Sequence, residues 1–262
     1  MVKHKADNIT FPLTKLLPNT ITLLSLCSAV TSIKLALAGS FERAVLFIVV
    51  AAILDVLDGR FARFLNAQSK MGANLDSLCD FINFGFCPAF ILYLWKLHEV
   101  HILGWGCVLL SVVCAAIRLA RFNTQEELRQ QDAVMSKFFC GVPSTVGGLL
   151  VLLPLVATFS VALINSAFLP IVCFYVMLIA VLMASTVPTI STKKVKIKRS
   201  HAPLAMIIIG ITLVFCFLYG WFSMMALSVF YIASIPYSWR KYHKLRAKYL
   251  TPTLDDSLET LK

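Results

Sequence analysis

The sequence predicts an all-α protein built into a membrane, and three observations carry that prediction. Apolar runs near the roughly 20 residues that a helix needs to cross a bilayer recur along the whole chain. Of the 262 residues, 59% are hydrophobic and only 14% charged, with a mean hydropathy of +0.82. The basic residues leave a formal charge of +11 and gather in alternate connections between the apolar runs. A segment in lipid must satisfy its own backbone hydrogen bonds, so runs of this length are helices.

Residues 1–15 are polar and basic and read as a short interfacial segment. The first span covers 17–38. It lacks a small-residue cleavage site and is expected to be a retained helix rather than a signal peptide. Asn19 and Thr22 sit near its entry on one face, and Lys34 is close enough to the far end to snorkel. A turn at 39–43 leads to the second span, 44–65, whose end carries Asp55 to Arg63. A polar loop at 66–70 precedes the third span, 72–95, in which Pro88 predicts a kink.

After a turn at 98–101, the fourth span runs over 102–122, and 123–139 reads as an amphipathic surface helix. The fifth and sixth spans are placed at 142–159 and 167–187, followed by a basic loop at 193–199. Spans at 203–218 and 221–237 meet at the Tyr219-Gly220 turn, and 249–262 is expected to be a disordered tail. The total is about eight transmembrane helices in a single domain, residues 1–248.

Charge tests the count. With the amino terminus in the cytoplasm, Lys3, Lys5, Lys15, Arg60, Arg63, Lys70, Arg118, Arg121, Arg129 and Lys137 fall on that side, as do the basic loop and tail. The other side receives Arg43 and Lys96. That is the positive-inside pattern, and with the short loops it points to a bacterial inner membrane. The same pattern, with anionic headgroups as partners, accounts for the net charge without nucleic acid. The eight cysteines are scattered through apolar runs with no C-x-x-C pair, so they read as small packing residues.

The chemistry concentrates in D-V-L-D-G-R-F-A-R, starting at Asp55, and G-A-N-L-D-S-L-C-D, starting at Gly72. Asp55 and Asp58 are three residues apart and Asp76 and Asp80 four, so each pair shares a helix face. Two such helices facing each other bring four carboxylates together, and these cannot all stay ionised without a cation. An all-oxygen set suits Mg²⁺ or Mn²⁺ better than zinc. A proton or ion pathway also uses aspartates, which makes an ion-coupled transporter the competing class. Gly59 and Gly72 remove bulk beside the carboxylates, and Arg63 lies one turn beyond Gly59 where it can meet phosphate. An ion pathway has no need of that set, which favours a nucleotide and metal site.

These residues resemble the CDP-alcohol phosphotransferases, whose signature reads D-x2-D-G-x2-A-R, a spacer, then G-x3-D-x3-D. Asp55, Asp58, Gly59, Ala62, Arg63, Gly72, Asp76 and Asp80 fill every fixed position. The wider wording, with L-P-N-T-I-T-L near the start, R-L-A-R-F-N from Arg118 and S-T-V-P-T from Ser185, is most similar to the membrane-integrated phosphatidylserine synthases in that family.

The resemblance implies transfer of a phosphatidyl group from CDP-diacylglycerol to the hydroxyl of L-serine, with release of CMP. It implies metal ligation by Asp55, Asp58 and Asp76, and for Asp80 either a second metal site or the role of general base. The cytidine diphosphate would lie near Asp58, Gly59, Ala62, Arg63 and Gly72, with Asn19 and Thr22 alongside. A homodimer is implied by the resemblance alone. No Cys, His or Ser stands out as a covalent nucleophile, so direct transfer is expected.

The acceptor leaves fewer marks. Arg118 and Arg121, three residues apart, either bind an acceptor carboxylate or anchor a helix end. Asn83 points toward the same region, in an Asn83-Phe84-Gly85 stretch that often reads S-F-G in the synthases. The runner-up acceptors are glycerol 3-phosphate and inositol phosphate, which would want a denser basic pocket. Lys137 reads as loop charge, His98 and His101 as structural residues on the far side, and the phenylalanines as lipid-facing or packing residues.

Overall fold

The computed structural model describes residues 13–129, 138–160, 168–185, 188–190 and 218–250. Helix α1 (Leu13–Leu37) turns at Gly39, whose φ of +74° is one that L side chains rarely adopt, into α2 (Phe41–Phe64). The two helices lie along each other through small residues. Ala29, Ala44 and Ala51 are buried between them. Ser25 Oγ donates to the Ala51 carbonyl at 2.9 Å and Ser28 Oγ to that of Phe47 at 2.8 Å. Small side chains let apolar helices approach closely, and a hydroxyl bonded across the seam leaves no donor exposed to lipid.

Helix α3 (Lys70–Asp80) continues without a break through a π-helical segment (Phe81–Phe86) into α4 (Cys87–Trp95). Ser69 caps its start, accepting the Gly72 N–H at 3.0 Å. The expected kink at Pro88 takes the form of this wider turn. Proline lacks the N–H that would bond Phe84 and its ring crowds that carbonyl, and the π register, with the Cys87 N–H on the Ile82 carbonyl, relieves both. A 3₁₀ turn (Leu97–Val100) then leads into α5 (His101–Arg129).

The surface helix expected at 123–139 is corrected in its first part. α5 runs on to Arg129, because Asn123-Thr124-Gln125-Glu126-Glu127-Leu128 contains no breaker. Strand β1 (Phe138–Cys140) pairs antiparallel with β2 (Pro188–Ile190), a small departure from the all-α expectation. Between them come α6 (Ser144–Val151), α7 (Leu153–Ser160) and α8 (Leu169–Ala184), so the fifth span is two short helices that meet at Leu152. Helix α9 (Gly220–Leu250) carries on beyond the expected end at 237 into basic sequence. The segment 1–12, Lys137, the basic loop at 193–199, the span at 203–217 and the tail beyond 250 lie outside the described residues.

Among the described residues three helices are long and apolar enough to cross a membrane: Leu16–Leu37, Lys70–Trp95 and Leu97–Thr124. Leu169–Ala184 and Gly220–Pro236 are shorter apolar helices. The outer faces agree, since Leu23, Leu24 and Val30 on α1, Ile102, Leu109 and Ile117 on α5, and Ile171, Phe174 and Val181 on α8 are exposed. A belt of that size on several helices marks contact with lipid. Five of the cysteines (Cys79, Cys87, Cys107, Cys114 and Cys173) are buried thiols, as expected.

One polar relay ties the layers together. Asn83, fully buried in the π segment, donates through Nδ2 to Ser25 Oγ at 2.9 Å, and Ser25 Oγ in turn donates to the Ala51 carbonyl. Ser25→Ala leaves a buried amide without its acceptor, at an expected cost of about 1–3 kcal/mol. A lowered midpoint in thermal unfolding of the detergent-solubilised protein checks this, and an unchanged midpoint contradicts it.

Candidate active site

Both halves of the motif are helical, as their spacing predicts. Asp55 and Asp58 project from α2, and Asp76 and Asp80 from α3, one turn apart in each case. One oxygen from each of Asp55, Asp58 and Asp76 lies within 4.8 Å of the other two. Asp80 faces Asp55 from behind this group, carboxylate to carboxylate.

Asp80 Oδ1 is buried, and two carboxylates can face each other there only by sharing a proton or a cation. Oxygen donors at this spacing with an orphaned buried oxygen beside them fit a hard divalent cation.

Hydroxyls hold the carboxylates from outside. Thr22 Oγ1 donates to Asp58 Oδ2 at 2.6 Å, Thr145 Oγ1 to Asp55 Oδ2 at 3.2 Å, and Ser144 Oγ to Asp80 Oδ2 at 2.7 Å. Sequence reasoning singled out Thr22, as a contact for the nucleotide diphosphate rather than for a carboxylate, and missed the other two. A Pro-Ser-Thr at the head of an apolar run reads as an ordinary helix start, and only its approach to α2 and α3 reveals more.

Asp58 and Asp76 open onto a cavity of about 520 Å³ lined by residues of α1, α2 and α3. Its walls include Asn19, Thr22, Asp58, Gly59, Ala62, Arg63, Gly72 and Asp76, so the candidate nucleotide residues share one concave surface. Gly59 faces open space, whereas a Cβ on Gly72 would come within 2.9 Å of Asn19 Oδ1 and 3.1 Å of Ser69 Oγ. Gly72→Ala must therefore displace the Asn19 amide from the cavity wall. We expect a several-fold weaker affinity for CDP in equilibrium binding; unchanged affinity contradicts this role for the close approach. Phe122, Ser77 and Asn123 complete the far wall, with Ser77 Oγ 3.1 Å from Asn123 Oδ1. Phe122 thus lines the cavity rather than facing lipid, and the continuation of α5 past residue 122 brings Asn123 there.

The acceptor candidates separate. Arg118 lies within electrostatic reach of Asp80, Arg121 and Tyr231, with its Nε buried and lacking a hydrogen-bond partner. Arg121 instead donates from Nη2 to the Ser185 carbonyl at 2.8 Å and braces α5 to the end of α8. Asn83 is buried in the relay to Ser25, three residues beyond Asp80.

The family model described as CDP-alcohol phosphatidyltransferase matches residues 15–172, which hold all four aspartates and the cavity. The chain belongs to the CDP-alcohol phosphatidyltransferase family. Family members named CDP-diacylglycerol–serine O-phosphatidyltransferase are among its relatives. The one from Mycobacterium tuberculosis is 35% identical over 228 residues, covering 86% of this chain and 79% of the relative. That of Helicobacter pylori is 32% identical over 199 residues, covering 76% and 82%. That of Bacillus subtilis is 36% identical over 110 residues, covering 42% and 62%. Within this CDP-alcohol phosphatidyltransferase the matched region ends inside α8, so α9 and its Tyr231 lie beyond the family model.

Proposed function

We propose that this protein transfers the phosphatidyl group of CDP-diacylglycerol to L-serine, forming phosphatidylserine and CMP. The observation that carries the reading is the grouping of Asp55, Asp58 and Asp76 within 4.8 Å, with Asp58 and Asp76 in the wall of the cavity and Asp80 against Asp55. The names of relatives that share most of this chain support serine as the acceptor.

In this reading Asp55, Asp58 and Asp76 hold Mg²⁺ or Mn²⁺, and Asp80 closes a second cation position or serves as base. A bound divalent ion neutralises the diphosphate and stabilises the leaving CMP phosphate. Gly59, Ala62 and Gly72 leave room for the cytidine, with Asn19, Thr22 and Arg63 around the diphosphate, while the acyl chains stay in the bilayer. Asp80 accepts the serine hydroxyl proton. The serine oxygen bonds to the lipid-linked phosphorus, the bond from that phosphorus to the CMP oxygen breaks, and the proton leaves through Asp80. No covalent adduct forms on the enzyme.

Arg118, beside Asp80, is placed to take the serine carboxylate. With Arg121 bonded to Ser185, one guanidinium near Asp80 suits a single carboxylate better than a phosphate dianion. The positive-inside pattern supports about eight spans with this site at the cytoplasmic face of a bacterial inner membrane. Assembly as a homodimer belongs to the same reading.

Labelled L-serine, glycerol 3-phosphate and inositol phosphate, each offered with CDP-diacylglycerol and divalent metal, test the acceptor. The reading expects label in chloroform-soluble lipid from serine; label from either phosphorylated alcohol alone overturns it.

A further inference from the structure

The two hydroxyls at the head of α6 reach carboxylates on two other helices. Ser144 Oγ donates to Asp80 Oδ2 at 2.7 Å, and the adjacent Thr145 Oγ1 donates to Asp55 Oδ2 at 3.2 Å. Ser144 is buried, so water does not compete for its bond. Helix α6 is itself clamped in place. A Cβ on Gly148 would lie 2.9 Å from the Phe84 Cα and carbonyl oxygen, so α6 rests directly on the π-segment backbone. On the other side Gly147 sits against the Met183 side chain of α8. The bond from Ser144 occupies one oxygen of Asp80 and leaves Oδ1 buried without a donor.

We propose that Ser144 and Thr145 form a strut that sets the geometry of Asp80 and Asp55, with Ser144 holding Oδ2 of Asp80 and so fixing the orientation of its carboxylate. Both are positioning residues. They act through the carboxylates, and the proposal rests on the reading of Asp80 as the base. A carboxylate has two equivalent oxygens and free rotation about its last bond. A donor on a rigid, separately anchored helix removes that freedom before substrate arrives, which is how outer hydrogen-bond partners tune a site. The strut also ties two helices from outside the aspartate motif to the π segment that continues α3. α6 carries the hydroxyls, α8 backs Gly147, and the π segment receives Gly148.

The test uses the full-length protein in detergent with CDP-diacylglycerol, L-serine and Mn²⁺. Ser144→Ala and the near-isosteric Ser144→Cys are expected to lower kcat about 10–100-fold while KM for each substrate changes less than about threefold. Ser144→Thr, which keeps the hydroxyl, is expected to stay within about fivefold of the parent kcat. Thr145→Val is read by binding of Mn²⁺ alone, with affinity expected to fall about 10-fold, whereas Ser144→Ala leaves that affinity unchanged.

Parent-like kcat in Ser144→Cys overturns the proposal. An equal loss in Ser144→Ala, Ser144→Cys and Ser144→Thr makes the residue one of packing and overturns it as well. Parent-like Mn²⁺ affinity in Thr145→Val removes Thr145 from the strut. A parent protein that releases no CMP in the presence of serine contradicts the proposed reaction instead, and Mn²⁺ affinity still reads the Thr145 arm in that case.

Discussion

Asp80→Asn is expected to lower serine-dependent CMP release by about 10²–10⁴-fold, the range that a positioned general base supplies. The side chain keeps its size, and its amide oxygen can still accept the Ser144 hydroxyl, so the local packing survives. What is lost is the carboxylate charge, and with it the capacity to accept the hydroxyl proton. Asp55, Asp58 and Asp76 remain grouped within 4.8 Å of one another, so Mn²⁺ and CDP binding should persist. The combination of bound nucleotide with failed transfer separates a base from a general prop. A variant that keeps more than a tenth of the parent activity removes Asp80 from that role.

Asp58→Asn is expected to act at the binding step. Asp58 is buried, fixed by a 2.6 Å hydrogen bond from Thr22, and contributes one of the three converging oxygens. Removing that charge should weaken Mn²⁺ binding by more than the roughly 10–100-fold that loss of an outer hydrogen-bond partner costs. Thr22→Val, which removes only the partner, should fall inside that interval. The two variants thus form a graded pair read by Mn²⁺ titration, with activity falling in the same order. Equal affinity in Asp58→Asn and the parent would place the cation elsewhere.

Much of the site was legible because its chemistry is local in the chain. Asp55 and Asp58, or Asp76 and Asp80, meet on one face through helix periodicity alone, and Gly59 and Gly72 stand in the cavity wall. Asn19 and Thr22 were found as polar residues at the mouth of an apolar helix, where a bland side chain is cheaper. Ser144 and Thr145 were not found. They lie 64 and 90 residues from the carboxylates they hold, and no periodicity connects them.

Arg118 and Arg121 show the same limit from the other side. Spacing puts them together on α5, yet one lies near Asp80 and the other bonds the end of α8. The fold was legible where apolar runs are long, as in α1 and α5. It was less so at 142–159, where a uniform apolar composition conceals a break at Leu152 that separates α6 from α7. The π segment had a visible cause in Pro88, but sequence indicates that a helix must yield there without saying whether it bends or widens.

The measurement that bears most directly on the account is release of CMP by the purified protein from CDP-diacylglycerol and divalent metal, with and without L-serine. The account predicts release that requires serine, stops when the metal is chelated and returns when it is restored. Release that ignores serine and follows another alcohol, or flux of an ion with no CMP formed by folded protein, would contradict it.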